Sequence, residues 1–216
     1  MELLNAHADA TTNEGFRPVV LETGRGPVEA RHYPAEGATR GAVWVGGVGG
    51  GFDTPARGLY PRLCADLTGR GIQSLRVRFR RPTELEEAVH DVLAGLSFLE
   101  RQGVSEAAVI GHSFGGAVAL QAAAAQPRLV RTVVTLATQG FGADVAQSLD
   151  AALLVIHGEA DEVLAPQCSI YVHRLARGPK KLVLVPGSGH CLDETAEAVC
   201  HDVRDWLVDH LGTAEA

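Results

Sequence analysis

Short apolar runs rich in β-branched residues alternate along the chain with stretches in which apolar positions recur at helical intervals. This alternation predicts strands joined by crossover helices, the pattern of an α/β domain. The runs are Pro18–Glu22, Val28–Tyr33, Ala42–Val45, Ile72–Val77, Ala107–Ile110, Val130–Ala137, Ala152–His157 and Lys181–Val185. Segments such as Val43-Trp44-Val45 and Leu153-Leu154-Val155-Ile156 are apolar without a break, as expected of parallel strands covered on both faces. Thr83-Glu84-Leu85-Glu86 has capping-box spacing, and Leu85, Ala88, Val89, Val92, Leu93, Leu96 and Leu99 then recur at helical intervals up to Gly103. Further helices are predicted over Ala117–Gln126, which stops before Pro127, and Thr195–Leu211, which carries Val199, Val203, Trp206 and Leu207 on one stripe. The expected architecture is a mostly parallel sheet of roughly eight strands with helices on both faces. Residues 1–16 are polar and aperiodic and are expected to be poorly ordered; residues 17–216 read as a single domain.

Composition narrows the function classes. Hydrophobic residues make up 46% and charged residues 21%, which fits a globular chain and neither a disordered nor a fibrous one. A net charge of −7 lacks the basic footprint of a nucleic-acid binder, so no nucleic-acid partner is expected. No apolar stretch approaches the roughly 20 residues that a membrane-spanning helix needs. Met1 to His7 has neither the basic nor the apolar region of a secretory signal, and a cytoplasmic location is expected. The four cysteines form no C-x-x-C pair. His190-Cys191 and Cys200-His201 match no structural zinc spacing, so neither a metal nor another cofactor is expected. Glycine is in excess, at 25 residues, and 13 of these fall in five short places that each follow a predicted strand. That distribution points to backbone crowding around one site and excludes flexible linkers.

The chemistry enters after Ala107–Ile110. Gly111-His112-Ser113-Phe114-Gly115-Gly116 is a G-x-S-x-G turn between a strand and a helix, which lifts a serine nucleophile above the sheet on a strained backbone. The following helix N-terminus places unpaired N–H groups beside it, where an oxyanion would develop. Serine needs a base, and the base needs an orienting acid, in the chain order Ser, Asp or Glu, His. His157-Gly158-Glu159-Ala160-Asp161 and Pro186-Gly187-Ser188-Gly189-His190 supply both, each just past a strand.

With these three segments the chain resembles the α/β-hydrolase superfamily, from about Ala42 to Leu211, in the form of a compact serine hydrolase without a cap domain. The resemblance implies Ser113 as nucleophile, His190 as general base and then acid, and Asp161 as the acid that orients His190. Glu159, Glu162, Asp144 and Asp193 are competing acids, of which Asp144 follows a strand where some members carry the acid. His112 is expected to point away from the nucleophile and His157 to be a packed, hydrogen-bonded imidazole. Cys191 is expected to be a small packing residue.

The second glycine cluster, Gly46-Gly47-Val48-Gly49-Gly50-Gly51-Phe52-Asp53, lies where the family supplies the second oxyanion-hole N–H. The first would come from Phe114 and the second from Val48, with Gly47 next. Gly46 stands where a histidine is common, and Arg78 where an acid is common. The cluster lacks the G-K-[ST] of a phosphate loop. Arg78, Arg80 and Arg81 are candidates for recognising an anionic group, against the plainer reading of structural ion pairs. Only Thr138–Ala151 separates two strands where family members insert a lid, so the site is expected to be open, with Gln139, Phe141 and the Trp44 region lining it. The expected function is hydrolysis of a carboxylic ester or thioester of a small acyl substrate through an acyl-enzyme. The alternatives are an acyltransferase or perhydrolase with the same three residues, or a non-catalytic binding protein of this fold. The sequence leaves the oligomeric state open.

Overall fold

A computed structural model describes residues 3–212. The strands are β1 (Leu3–Ala8), β2 (Arg17–Thr23), β3 (Val28–Tyr33), β4 (Arg40–Val45), β5 (Ile72–Val77), β6 (Glu106–His112), β7 (Val130–Leu136), β8 (Ala152–Gly158) and β9 (Lys180–Val185). The helices are α1 (Pro55–Thr68), α2 (Leu85–Arg101), α3 (Phe114–Ala125), α4 (Gln167–Leu175) and α5 (Ala196–Leu211). One sheet runs in the order β1-β2-β3-β5-β4-β6-β7-β8-β9. Its first three pairings are antiparallel and the remainder parallel.

Side-chain alternation along the central strands sorts the core into two layers. Val43, Val45, Leu75, Val77, Val109 and Val133 face α2, α3 and α4, whereas Ala42, Trp44, Ala108, Ile110 and Val134 face α1 and α5. Both faces are covered, which is why these strands read as unbroken apolar runs.

Three sequence expectations change. The sheet has nine strands, and the additional one, β1, lies in the segment expected to be poorly ordered. It pairs with β2 through the backbone and buries Leu3, while most of its other side chains face solvent, so it leaves no apolar periodicity to read. The capping box at Thr83 does not form: α2 begins at Leu85 with Glu84 at the N-cap position and no side-chain cap. Trp44 does not line a surface. Its indole is buried beneath α1, with the ring 5.3 Å from that of Tyr60.

Register places the site. The chain leaves β4 for β5 on one side and returns to β6 on the other, so β4 and β6 flank the switch point where an open α/β sheet forms its crevice. Val45 pairs with Gly111, which sets Gly46 and Gly47 level with His112 and Ser113. Gly158 pairs with Val185, which brings the Asp161 and His190 loops side by side. The connection from β7 to β8 holds one short 3-10 turn, Asp144–Ser148, and no cap domain.

Candidate active site

Ser113 sits between β6 and α3 with φ 56° and ψ −119°, a left-handed conformation that costs a non-glycine residue about 1–3 kcal/mol. Its neighbours fix it there: Ser113 N–H donates to Leu136 O at 2.9 Å, and Ser113 O accepts from Gly116 N–H at 3.0 Å. The turn is too tight for side chains on its flanks. A β-carbon on Gly111 would lie 2.0 Å from Gly115 O, and one on Gly115 would lie 2.3 Å from Gly46 O.

A continuous hydrogen-bonded chain starts at this serine. Ser113 Oγ is 3.0 Å from His190 Nε2, and His190 Nδ1 is 2.7 Å from Asp161 Oδ2. The Asp161 side chain is fully buried. Its Oδ1 accepts the N–H groups of Val163 and Leu164 at 2.8 and 2.9 Å. Burial pushes the Asp161 pKa up, but the Leu164 N–H, His190 and the Val163 N–H outweigh it and hold the carboxyl below its ordinary value. An ionised Asp161 keeps the proton of His190 on Nδ1, so Nε2 is left to accept the serine proton.

His157 is the packed imidazole the sequence suggests, and it also supports the acid. Nε2 lies 2.9 Å from Leu164 O and 3.0 Å from Asp161 Oδ2, while Nδ1 lies 2.6 Å from Ser169 Oγ. His112 departs from expectation. Instead of pointing away, it donates from Nε2 to His190 O at 3.0 Å, with its ring centroid 4.8 Å from that of His190. Burial drives its pKa down to about 4, so it stays neutral and adds no charge beside His190. The His190 loop is anchored from two sides. Glu194 Oε2 accepts from Gly189 N–H at 3.1 Å and Ser188 Oγ at 3.2 Å, and Cys191 O accepts from Ala56 N–H at 2.7 Å. The role of Glu194 was missed and the orientation of His112 misjudged because both arise from contacts across the fold that no local spacing marks.

Around Ser113 the other candidates separate. Gly47 packs on the serine: a β-carbon there would lie 3.4 Å from Ser113 Cβ. Phe114 is the first residue of α3, so its N–H has no acceptor within the helix. Gln139 touches the serine through its backbone, with N–H 3.4 Å from Ser113 O, while its side chain donates to Phe141 O. Arg78 and Arg80 are not brought to this cluster. Arg78 pairs with Glu29 at 2.8 Å, and Arg80 binds Asp91 at 2.6 Å, Glu87 at 2.9 Å and Arg25 O at 2.5 Å, which is the ion-pair reading. Arg81 pairs with Glu84. Asp144 accepts from Tyr171 instead of from a histidine. Among the described residues, no three or more His, Cys, Asp or Glu side chains are grouped to hold a metal ion, and no helix is long and apolar enough to cross a membrane.

The profile of the alpha/beta hydrolase family matches residues 37–155, more than half of the chain. The chain belongs to the alpha/beta hydrolase family. Solved alpha/beta hydrolase folds superpose closely. Est1E from Butyrivibrio proteoclasticus has a TM-score of 0.78 at 16% identity, covering 91% of this chain and 99% of that one. A dienelactone hydrolase from Anabaena variabilis has a TM-score of 0.76 at 17% identity, covering 97% and 100%. An esterase domain from Rhodothermus marinus has a TM-score of 0.75 at 21% identity, covering 91% and 100%. At such identities the likeness shows the fold. A dihydrolipoyllysine-residue acetyltransferase component of an acetoin cleaving system from Pseudomonas putida is 31% identical over 143 residues, 63% of this chain and 37% of that protein. Its counterpart from Cupriavidus necator is 28% identical over 121 residues, 53% of this chain and 31% of that protein. The chain thus spans about a third of the length of these curated relatives.

Proposed function

We propose that this alpha/beta hydrolase is a serine hydrolase that cleaves a carboxylic ester or thioester of a small acyl substrate through an acyl-enzyme. The observation that carries the reading is the unbroken chain from Ser113 Oγ through His190 to a buried, ionised Asp161. Ser113 Oγ attacks the carbonyl carbon as its proton passes to His190 Nε2, and the carbonyl oxygen becomes an oxyanion. Phe114 N–H and Val48 N–H receive that oxygen. His190 returns the proton to the departing alkoxide or thiolate, which leaves as alcohol or thiol. Water then gives a proton to His190 and attacks the acyl carbon; Ser113 Oγ leaves with that proton, and the free acid is released.

The rim supports an uncharged acyl group. Val48, Phe141 and Val163 are large apolar residues left 55%, 80% and 69% exposed. Val48 follows Gly47, which packs on Ser113; Phe141 O binds the side chain of Gln139, whose own N–H faces Ser113 O; and Val163 N–H binds Asp161. Apolar side chains in open positions around one polar cluster suit a ligand entering from solvent. Est1E, similar in fold, has been solved with ferulic acid bound, and a small carboxylic acid is the product expected here.

A short p-nitrophenyl ester tests the reading. The expected result is a burst of about one p-nitrophenol per chain, with a protein mass increase of one acyl group, followed by slower steady release. Release at the buffer rate with no mass increase contradicts it. The acetyltransferase names of the curated relatives favour a second reading, transfer of the acyl group to another acceptor. Adding an alcohol or thiol and analysing products separates the two: new ester or thioester in place of free acid selects transfer.

A further inference from the structure

Asp53 closes the glycine-rich loop after β4, and its carboxylate is folded into that loop. The residue as a whole is exposed, but one side of its side chain fills the space that Gly46 leaves. A β-carbon on Gly46 would lie 1.9 Å from Asp53 Oδ1 and 2.7 Å from Asp53 Cγ, and one on Gly49 would lie 3.3 Å from Oδ2. Burial raises the pKa of this carboxyl, and the backbone amides of Gly47 and of Asp53 itself beside it oppose that rise. The backbone carrying Asp53 is fixed on either side. The buried Arg76 of β5 donates to Phe52 O, and Thr54 Oγ1 accepts from Tyr60 N–H at 2.9 Å. Two residues further on, Ala56 N–H and Arg57 N–H hold Cys191 O and Asp193 Oδ1 beside His190, at 2.7 and 2.8 Å.

We propose that Asp53 is a positioning residue for the oxyanion hole: by filling the space beside Gly46 and Gly49, its carboxylate sets the course of the loop so that Val48 N–H faces the carbonyl oxygen above Ser113. Gly47 in turn packs on Ser113, so the course of the loop at Gly46 carries through Gly47 to Val48. The same packing explains Gly46, since a side chain there would occupy the position of Asp53 Oδ1. The proposal rests on the hydrolase reading above.

The test compares Asp53→Ala, Asp53→Asn and Gly46→Ala with the wild-type chain, using p-nitrophenyl acetate for kcat and KM. A trifluoromethyl ketone, whose adduct with serine carries an oxyanion, gives a second readout. Asp53→Ala is expected to lower kcat by on the order of 10²-fold with KM within about twofold, and to weaken the ketone in parallel. Asp53→Asn, which keeps the shape that fills the space beside Gly46, is expected to recover at least about tenfold of that loss, and Gly46→Ala to resemble Asp53→Ala. Thermal melts check that the variants are folded; if Asp53→Ala is not, the contrast between Gly46→Ala and Asp53→Asn decides. The proposal is overturned by wild-type kcat in Asp53→Ala, by a loss confined to KM, by unchanged ketone affinity, or by an asparagine variant as slow as Gly46→Ala. Absence of Ser113-dependent turnover in the wild-type chain overturns the hydrolase reading as well, whereas normal wild-type turnover with an unaffected Asp53→Ala removes this proposal alone.

Discussion

Ser113→Ala is expected to reduce turnover of p-nitrophenyl acetate by on the order of 10⁶-fold, the largest effect of any single substitution in this chain. Alanine removes the only atom that forms the acyl bond and leaves His190 with nothing to deprotonate but water. Residual catalysis of about 10³-fold over the uncatalysed reaction should remain, because the proposed oxyanion donors are backbone groups that the substitution leaves in place. The β-carbon is retained, so substrate binding is expected to change little. Initial rates with wild type and variant at equal concentration check this, and equal rates would show that hydrolysis does not pass through Ser113.

Asp161→Asn should have the second-largest effect, a fall in kcat of on the order of 10⁴-fold at neutral pH with the fold intact. An asparagine amide facing His190 Nδ1 favours the tautomer with the proton on Nε2, the nitrogen that must accept the serine proton. The same substitution changes the pH dependence of stability. The pKa of Asp161 is lowered in the folded chain, so its ionised form stabilises the fold above the ordinary carboxylate range. That contribution disappears as pH falls toward the lowered value. Urea midpoints measured from about pH 7 down to about pH 3 should therefore fall more steeply for wild type than for Asp161→Asn. Parallel curves would show that Asp161 is not held ionised by Val163, Leu164 and His190.

Much of the fold was legible because the sheet is covered on both faces. Strands such as Val43–Val45 and Leu153–Ile156 carry apolar side chains at every position, and the predicted strands from Val28 onward lie within two residues of the observed ends. Helix α1 was not legible. Leu59, Leu63 and Leu67 form an apolar stripe, but Pro55, Gly58 and Pro61 interrupt it, and Ala56, Arg57 and Gly58 take left-handed conformations before the regular turns begin. Strand β1 escaped for the opposite reason, being held by backbone pairing with little apolar burial.

At the site, Ser113, Asp161 and His190 stood out because each follows a strand within a recognisable segment, and the structure brings their side chains into one hydrogen-bonded chain. The arginines after β5 carried two readings in the sequence, an anion site and the plainer ion pairs, because their partners Glu29, Glu87 and Asp91 are remote in sequence. Asp53 was visible as the acid ending the glycine cluster, but its relation to Gly46 and Gly49 appears only when the loop is folded.

The most direct measurement is labelling of the folded wild-type chain with a fluorophosphonate, with the modified residue located by peptide mass spectrometry. A serine activated by His190 should take one phosphonyl group at Ser113, and His190→Ala should abolish the labelling. No modification of the folded protein, or modification at another residue such as Cys191, would contradict the account.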